Sequence, residues 1–270
     1  MKIFNGKKEA EKIISRLGKK VKKLKNNPKL AVIWVGDNAS SEIFIRNKKK
    51  TGREAGIKIS VYRFKKTAKE EAIIQKIDKL NKDVSVNGII VQLPLPKGFN
   101  PGKIIREIEK EKDIDGFSRG RNYFDPPLPK AIVVSLKKGE KSFKGKKIIS
   151  LVNSDIFGKS LRDFLEKNKI KSEYLLNSNF KKDKLKSADI IITVLGRPKT
   201  IKGDMIKRGA VLVDAGITVT REGKIVGDVD RKSVSEMARF LTPVPGGVGP
   251  LNVVFLLENL YLSYIKHGHI

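Results

Sequence analysis

Two hydrophobic periodicities alternate along the chain. Ile13, Ile14, Leu17, Val21 and Leu24 recur at helical spacing within residues 7–25, which predicts an amphipathic helix with one buried stripe. Residues 30–36 (LAVIWVG) are then a continuous apolar run too short for a helix, as expected of a parallel strand covered on both faces. Ser40 or Ser41 can cap a helix running to about Ala55, residues 58–64 alternate as a strand, and Thr67 with Glu70 has the spacing of a capping box for the next helix. Residues 88–92 (GIIVQ) form another buried strand, ended by LPLP. A second series follows: a strand at IISLV after Lys147, a helix over about 158–167, and strands at 170–176, 190–195 and 210–214. Helix and strand in alternation predict an α/β architecture built on parallel sheets. The second series has a dinucleotide-domain pattern, whose ligands sit beyond the carboxyl ends of the strands. Pro126, Pro127 and Pro129 cluster where the two series meet.

Composition narrows the chemistry. The 270 residues are 39% hydrophobic and 32% charged, a soluble, globular balance, and no apolar run approaches the roughly 20 residues of a membrane helix. The beginning, MKIFNGKKEAEKI, turns polar too early for a secretory signal, so a cytoplasmic protein is expected. There is no cysteine, and the two histidines, His267 and His269, lie in the tail. Disulfides, thiolate metal sites and cysteine nucleophiles are excluded, no metal centre is expected, and acid–base work falls to lysine, carboxylates or tyrosine. The formal charge is +29, from 58 basic and 29 acidic residues. The lysines are spread over every segment without interleaved aromatics, so specific nucleic-acid binding is not expected. Anionic substrates would account for the charge equally well.

Residues 242–250 (TPVPGGVGP) stand apart. Three prolines and three glycines in nine residues describe a rigid, sharply bent loop where backbone passes close to something. Pro250 can open a helix carrying Leu251, Val254, Phe255, Leu257 and Leu260 at helical spacing. A loop feeding a helix N-terminus offers backbone N–H groups to a ligand.

VGDNASSEIFIRNKKK, VQLPLP, KDIDGF, VGDV and TPVPGGVGP, in that order over nearly the whole chain, resemble the bifunctional methylenetetrahydrofolate dehydrogenase/methenyltetrahydrofolate cyclohydrolase family. The resemblance implies two α/β domains flanking a cleft, a folate domain of residues 1–119 plus 250–270 and a Rossmann-like nicotinamide domain of residues 120–249, usually as a homodimer. It implies oxidation of 5,10-methylenetetrahydrofolate with NAD or NADP and hydrolysis of the methenyl product to 10-formyltetrahydrofolate.

Carried over by position, Lys48 matches the family's catalytic lysine, Gln92 the glutamine beside it, and Asp115 the carboxylate that accepts from the pterin ring. Leu93, Pro245, Gly246 and Gly247 match its substrate-side positions. Asn153, Ser154, Ile156, Gly158, Leu195, Gly196, Gly216, Ile217, Thr218 and Gly249 match cofactor-side positions. Asp113 reads as structural.

The departures matter too. Phe44 stands where the family has tyrosine four residues before the lysine, so a hydroxyl is lost from the lysine network. The glycine-rich turn GRSxxVGxP appears as VNSDIFGKS: Val152 replaces the first glycine, which is expected to crowd the turn, and Asn153 replaces the basic residue. Asp155 adds a negative charge. The loss of the basic partner for a 2′-phosphate favours NAD over NADP, with Lys159 a candidate to compensate. Leu128 stands where a threonine is normal. The alternatives left open are an enzyme dominated by the cyclohydrolase, or a catalytically silent folate- or RNA-binding member. The surplus positive charge suits polyglutamylated folates, whose tails are polyanionic.

Overall fold

A computed structural model describes residues 1–117, 123–176 and 182–267; His269 and the expected domain junction at 119/120 lie outside them. In chain order the elements are β1 (Lys2–Ile3), α1 (Gly6–Val21), β2 (Lys29–Val35), α2 (Ala39–Glu54), β3 (Lys58–Phe64), α3 (Glu70–Lys82), β4 (Gly88–Val91), α4 (Pro101–Arg106) and α5 (Pro127–Gly139). There follow β5 (Ile148–Val152), α6 (Asp155–Lys167), β6 (Glu173–Leu176), α7 (Lys182–Lys186), β7 (Ile190–Val194), β8 (Ala210–Asp214), β9 (Thr218–Val219), β10 (Ile225–Val226), α8 (Arg231–Val234), β11 (Ala238–Thr242) and α9 (Val248–Lys266). The chain divides into two compact units, Glu11–Pro127 with Val253–Ile270, and Met1–Ala10 with Leu128–Asn252.

The first unit holds a parallel sheet of order β3-β2-β4. Ala31, Ile33 and Val35 pack on one face against Ile73, Ile77 and Leu80 of α3 and Ile104 and Ile105 of α4. On the other face Gly52 of α2 lies against Ile59, and Gly88 lies so close to Leu260 and Ile114 that a Cβ would collide with them. Strand alternation therefore puts Trp34, Arg63 and Gln92 on this second face, at the carboxyl end of the sheet.

The second unit is a six-stranded sheet of order β1-β11-β8-β7-β5-β6, parallel throughout. From β5 the chain crosses to β6 on one side and then returns to β7 on the other. This doubly wound, Rossmann-like order has its switch point between β5 and β7, where such sheets bind ligands. Buried Ile149, Leu151, Ile191 and Leu212 fill one face.

Several local expectations change. The first ten residues belong to the six-stranded unit because Lys2 and Ile3 pair with Phe240 and Leu241 of β11. The division between the units, at Pro127/Leu128, falls within the proline cluster but inside a helix: Pro127 and Pro129 occupy the first turn of α5, where their missing N–H costs nothing, and Ala131, Ile132, Val133 and Leu136 behind them are buried. Asn38, not a serine, caps α2, accepting from Ser41 N at 3.0 Å. Thr67 does not cap α3. Glu70 instead accepts from Asn100 N at 2.6 Å, and the Asn100 side chain caps α4. Pro250 is the third residue of α9, which begins at Val248.

Contrary to the absence of any such run expected from the sequence, α9 has the length and hydropathy to cross a membrane. Its polar groups nevertheless bond inside the fold. Asn259 Nδ2 donates to Ile114 O and Asp125 O, and Ser263 Oγ to Asn87 O and Glu111 O, as in a core helix.

Candidate active site

The three-stranded unit brings Lys48, Gln92 and Asp115 together. Lys48 sits on α2, one turn beyond Phe44, and its Nζ donates to Gln92 Oε1 at 2.8 Å. Gln92 is buried just past β4, with its backbone N–H on Ile33 O and its Nε2 donating to Leu93 O at 2.7 Å. Both ends of the amide are engaged, which turns the carbonyl oxygen to the lysine and fixes the rotamer. Leu93 is half-buried and precedes Pro94 through a cis peptide.

Lys48 as a residue is half-buried, but its ammonium end is enclosed. Burial pulls its pKa below the ordinary lysine value, with Asp115 acting in the opposite sense. Burial pushes the Asp115 carboxyl up to about 6; Lys48 opposes that rise and Asp113 adds to it. Asp113 accepts from Gly116 N at 3.0 Å and closes the turn that presents Asp115, with Gly116 at φ +72°. Each group is thus moved toward neutrality, the direction that prepares a lysine to exchange protons near pH 7.

The six-stranded unit gathers a separate set. At the carboxyl end of β5, Asn153, Ser154 and Ile156 are exposed, and Ser154 caps α6 by accepting from Phe157 N. A Cβ on Gly158 would enter the Tyr174 ring, so glycine lets α6 lie close on β6. Val152 is the last residue of β5, fully buried and paired with both Leu176 and Val194. Its side chain packs inside the sheet, and the turn begins after it. Asp155 is not a free charge: it is paired with Lys159 at 2.6 Å and accepts from the Tyr174 hydroxyl at 2.6 Å. Those bonds hold its carboxyl below the usual range, and they commit Lys159, the expected substitute for the missing basic residue.

Two buried carboxylates, Asp214 and Asp228, tie the loops beyond β7 and β8. Asp228 accepts from Thr193 Oγ1, Leu195 N and Arg197 N at 2.6–2.8 Å. Asp214 accepts from Gly216 N, Asp228 N and Val229 N at 2.9–3.2 Å. A Cβ on Gly216 would strike the Asp228 carboxylate, and one on Gly227 would strike Asp214. Burial, with Asp228 adding, pushes Asp214 up to about 7 against three backbone N–H bonds. Leu195, Gly196 (φ +66°), Gly216, Ile217 and Thr218 are thereby held in place, and Gly249 borders Ile217. Thr218 Oγ1 is buried without a partner, a costly state that a ligand would relieve. In the same unit the Pro245–Gly246–Gly247 loop is braced by α1: Lys7 N donates to Gly246 O, and a Cβ on Gly6 would collide with Gly247 O.

Two family models divide the chain. The model for the tetrahydrofolate dehydrogenase/cyclohydrolase catalytic domain matches residues 4–115, and the model for the NAD(P)-binding domain matches residues 126–268. The chain belongs to the tetrahydrofolate dehydrogenase/cyclohydrolase family. Bifunctional protein FolD of Thermodesulfovibrio yellowstonii is 41% identical over 269 residues, 95% of this chain and 94% of its own length. The bifunctional FolD dehydrogenase/cyclohydrolase of Campylobacter jejuni superposes with a TM-score of 0.90 at 34% identity, covering 99% of both chains. The Trypanosoma brucei dehydrogenase-cyclohydrolase, solved with NADP cofactor and inhibitor, superposes with a TM-score of 0.90 at 25% identity over 98% of each chain.

Within this dehydrogenase/cyclohydrolase chain, three groups escaped sequence reasoning. Asp214 and Asp228 were visible only as parts of VDAGIT and VGDV, since nothing local says that two carboxylates will be buried opposite each other's glycines. Ser41 is fully buried on α2, seven residues before Lys48, with Oγ unpartnered. The signal that could have found it is that separation, two helical turns along one face.

Proposed function

We propose that the two activities of this enzyme divide between the two residue sets. The chain oxidises 5,10-methylenetetrahydrofolate to 5,10-methenyltetrahydrofolate with a nicotinamide dinucleotide and hydrolyses the product to 10-formyltetrahydrofolate. The observation that carries the hydrolytic assignment is the 2.8 Å bond from Lys48 Nζ to Gln92 Oε1 beside a half-buried Asp115. Water adds to the methenyl carbon, a C–O bond forms, and the bond from that carbon to N5 breaks. Lys48, as the free amine, takes one proton of the water and returns it to N5, and the remaining hydroxyl proton leaves to solvent as the formyl C=O forms. Gln92 keeps the ammonium on station. Asp115, as an acceptor, holds the donor-rich edge of the pterin, with Phe44 and Leu93 packing the substrate.

For the oxidation, a bound nicotinamide would accept the hydride. The residues present fit such a cofactor: the exposed first turn of α6 at the switch point, the loops 195–197 and 216–218 anchored by Asp228 and Asp214, and the orphaned Thr218 hydroxyl. Their part is to bind and orient. Pro245, Gly246, Gly247 and Gly249 supply backbone to the substrate and cofactor. With Asn153 in the basic residue's place and Lys159 paired, NAD is favoured over NADP. A cytoplasmic homodimer is the assembly we propose.

The test is a paired spectrophotometric assay on wild type and Lys48→Met. Wild type should form methenyltetrahydrofolate from the methylene substrate, with a lower KM for NAD than for NADP, and should speed methenyl decay above its uncatalysed rate. Lys48→Met should lose the accelerated decay and still bind folate. Unchanged hydrolysis in Lys48→Met removes the lysine from its role.

A further inference from the structure

A pocket of about 500 Å³ opens at the carboxyl ends of β2 and β3, lined by Gly36, Asp37, Arg63, Lys65, Lys66 and Thr67 among others. None of these residues is used by the chemistry described above. Three of them are cationic and one is anionic, so the pocket carries a net positive charge.

Its central group is held in advance. Arg63 faces Trp34 across the β2–β3 register, its guanidinium lies 4.3 Å from the Trp34 ring centroid, and its Nε donates to Gly36 O at 3.2 Å. Stacking and one backbone bond immobilise the fork and leave its outer N–H groups for a planar anion such as a carboxylate. Gly36 itself, at φ +83°, lies between Pro96 and the Lys66 stem. The loop that starts at Gln92 therefore runs from the lysine site to the wall of this pocket.

The sheet sets the spacing. Ile33 pairs with Val91, and Trp34 with Arg63. Gln92, one residue past Val91, thus falls in a row with Trp34 and Arg63 on a single face. Two strand spacings separate Gln92 from Arg63, roughly 10 Å. A ligand whose reacting centre sits at Lys48 and Gln92 and whose far end carries carboxylates can reach both.

We propose that the Arg63 pocket is the subsite for the anionic tail of the substrate, taking the carboxylates of a folate extended by γ-linked glutamates. The inference rests on the folate reading and specifies how that same site selects among folates of different tail length. Arg63 anchors one carboxylate, and Lys65 and Lys66 meet the next.

The test has two readouts. In the first, the KM for methenyltetrahydrofolate is compared between one and four glutamates at low ionic strength, in wild type, Arg63→Gln and a Lys65→Gln/Lys66→Gln double variant. Wild type should favour the tetraglutamate by about tenfold, the double variant less, and Arg63→Gln should bring the ratio close to one; raised salt should erode the preference. In the second, a γ-linked tetraglutamate peptide without the pterin is titrated against the fluorescence of Trp34, the only tryptophan in the chain. The peptide should change the emission of wild type and not that of Arg63→Gln. Equal KM values together with a silent Trp34, or a preference that survives Arg63→Gln, overturn the proposal. Failure of monoglutamate turnover would count against the folate reading, and the peptide titration would still decide whether the pocket binds the tail chemistry.

Discussion

Lys48 and Asp115 lean on each other electrostatically, so removing one charge should move the titration of the other by a readable amount. In the wild type, burial has pushed the Asp115 carboxyl up to about 6 against the opposing pull of the Lys48 ammonium. Lys48→Met deletes that pull and leaves the burial. An opposite charge at close range is worth about 1–3 units on a carboxyl; since the lysine is also hydrogen-bonded to Gln92, the lower half of that range is expected, a rise of about 1 unit or slightly more, or about 1.4–2 kcal/mol. The assay is folate affinity against pH by fluorescence or calorimetry, which does not depend on turnover. Binding that uses the ionised Asp115 is present above its pKa and is lost as pH falls through it. The midpoint of that loss, near pH 6 in the wild type, should move upward in Lys48→Met, and Asp115→Asn should abolish the transition. Conversely, Asp115→Asn removes the group that raises the Lys48 pKa, so any lysine-dependent limb of the hydrolysis profile should shift to lower pH. A midpoint that stays put or falls in Lys48→Met would refute the coupling.

Phe44→Tyr restores a hydroxyl one helical turn before Lys48, and a gain of one hydrogen bond predicts a rise in methenyl hydrolysis of about 2–10-fold; a fall would show that the site has closed around the phenyl ring. Asp214 has a folded pKa of about 7 against an ordinary 3.8, so its contribution to stability is complete below the unfolded value and is lost as pH rises to about 7. Asp214→Asn should remove that slope, closing a difference from wild type that changes by up to about 3–4 kcal/mol between acid and neutral pH, measured by denaturant unfolding at several pH values. Gly6→Ala places a methyl against Gly247 O and should cost about 1–3 kcal/mol by overpacking, together with weakened substrate affinity, read by thermal unfolding and KM.

Much of the framework was legible because its signals are local. The apolar run at 30–36 and the alternation at 58–64 fall on β2 and β3, and Lys48 and Gln92 meet as the motifs suggested because a helix face and a strand end are set by short-range periodicity. What was not legible depends on partners distant in sequence. The β1 strand is two residues long and exists only because β11 is there to pair with it. Thr67 lost the capping role to no side chain at all, since Glu70 was claimed by Asn100 thirty residues away. Val152 looked like damage to a turn when read as a motif, yet the register with Leu176 and Val194 makes it a strand residue with an ordinary buried side chain.

The pairing of β1 with β11 and the seating of Gly6 on Gly247 decide where this protein can be cut. The nicotinamide half is not a contiguous piece of sequence. Expressed as residues 128–252 alone, it would lack the strand that covers one edge of its sheet, leaving the N–H and C=O groups of β11 open to pair with another molecule. It would also lose the brace beneath the Pro245–Gly247 loop. Such a fragment should self-associate, and supplying the first ten residues as a peptide or a fused segment should restore its solubility. The same dependence makes the start of the chain a poor place for a rigid fusion, because its second and third residues are already part of a sheet.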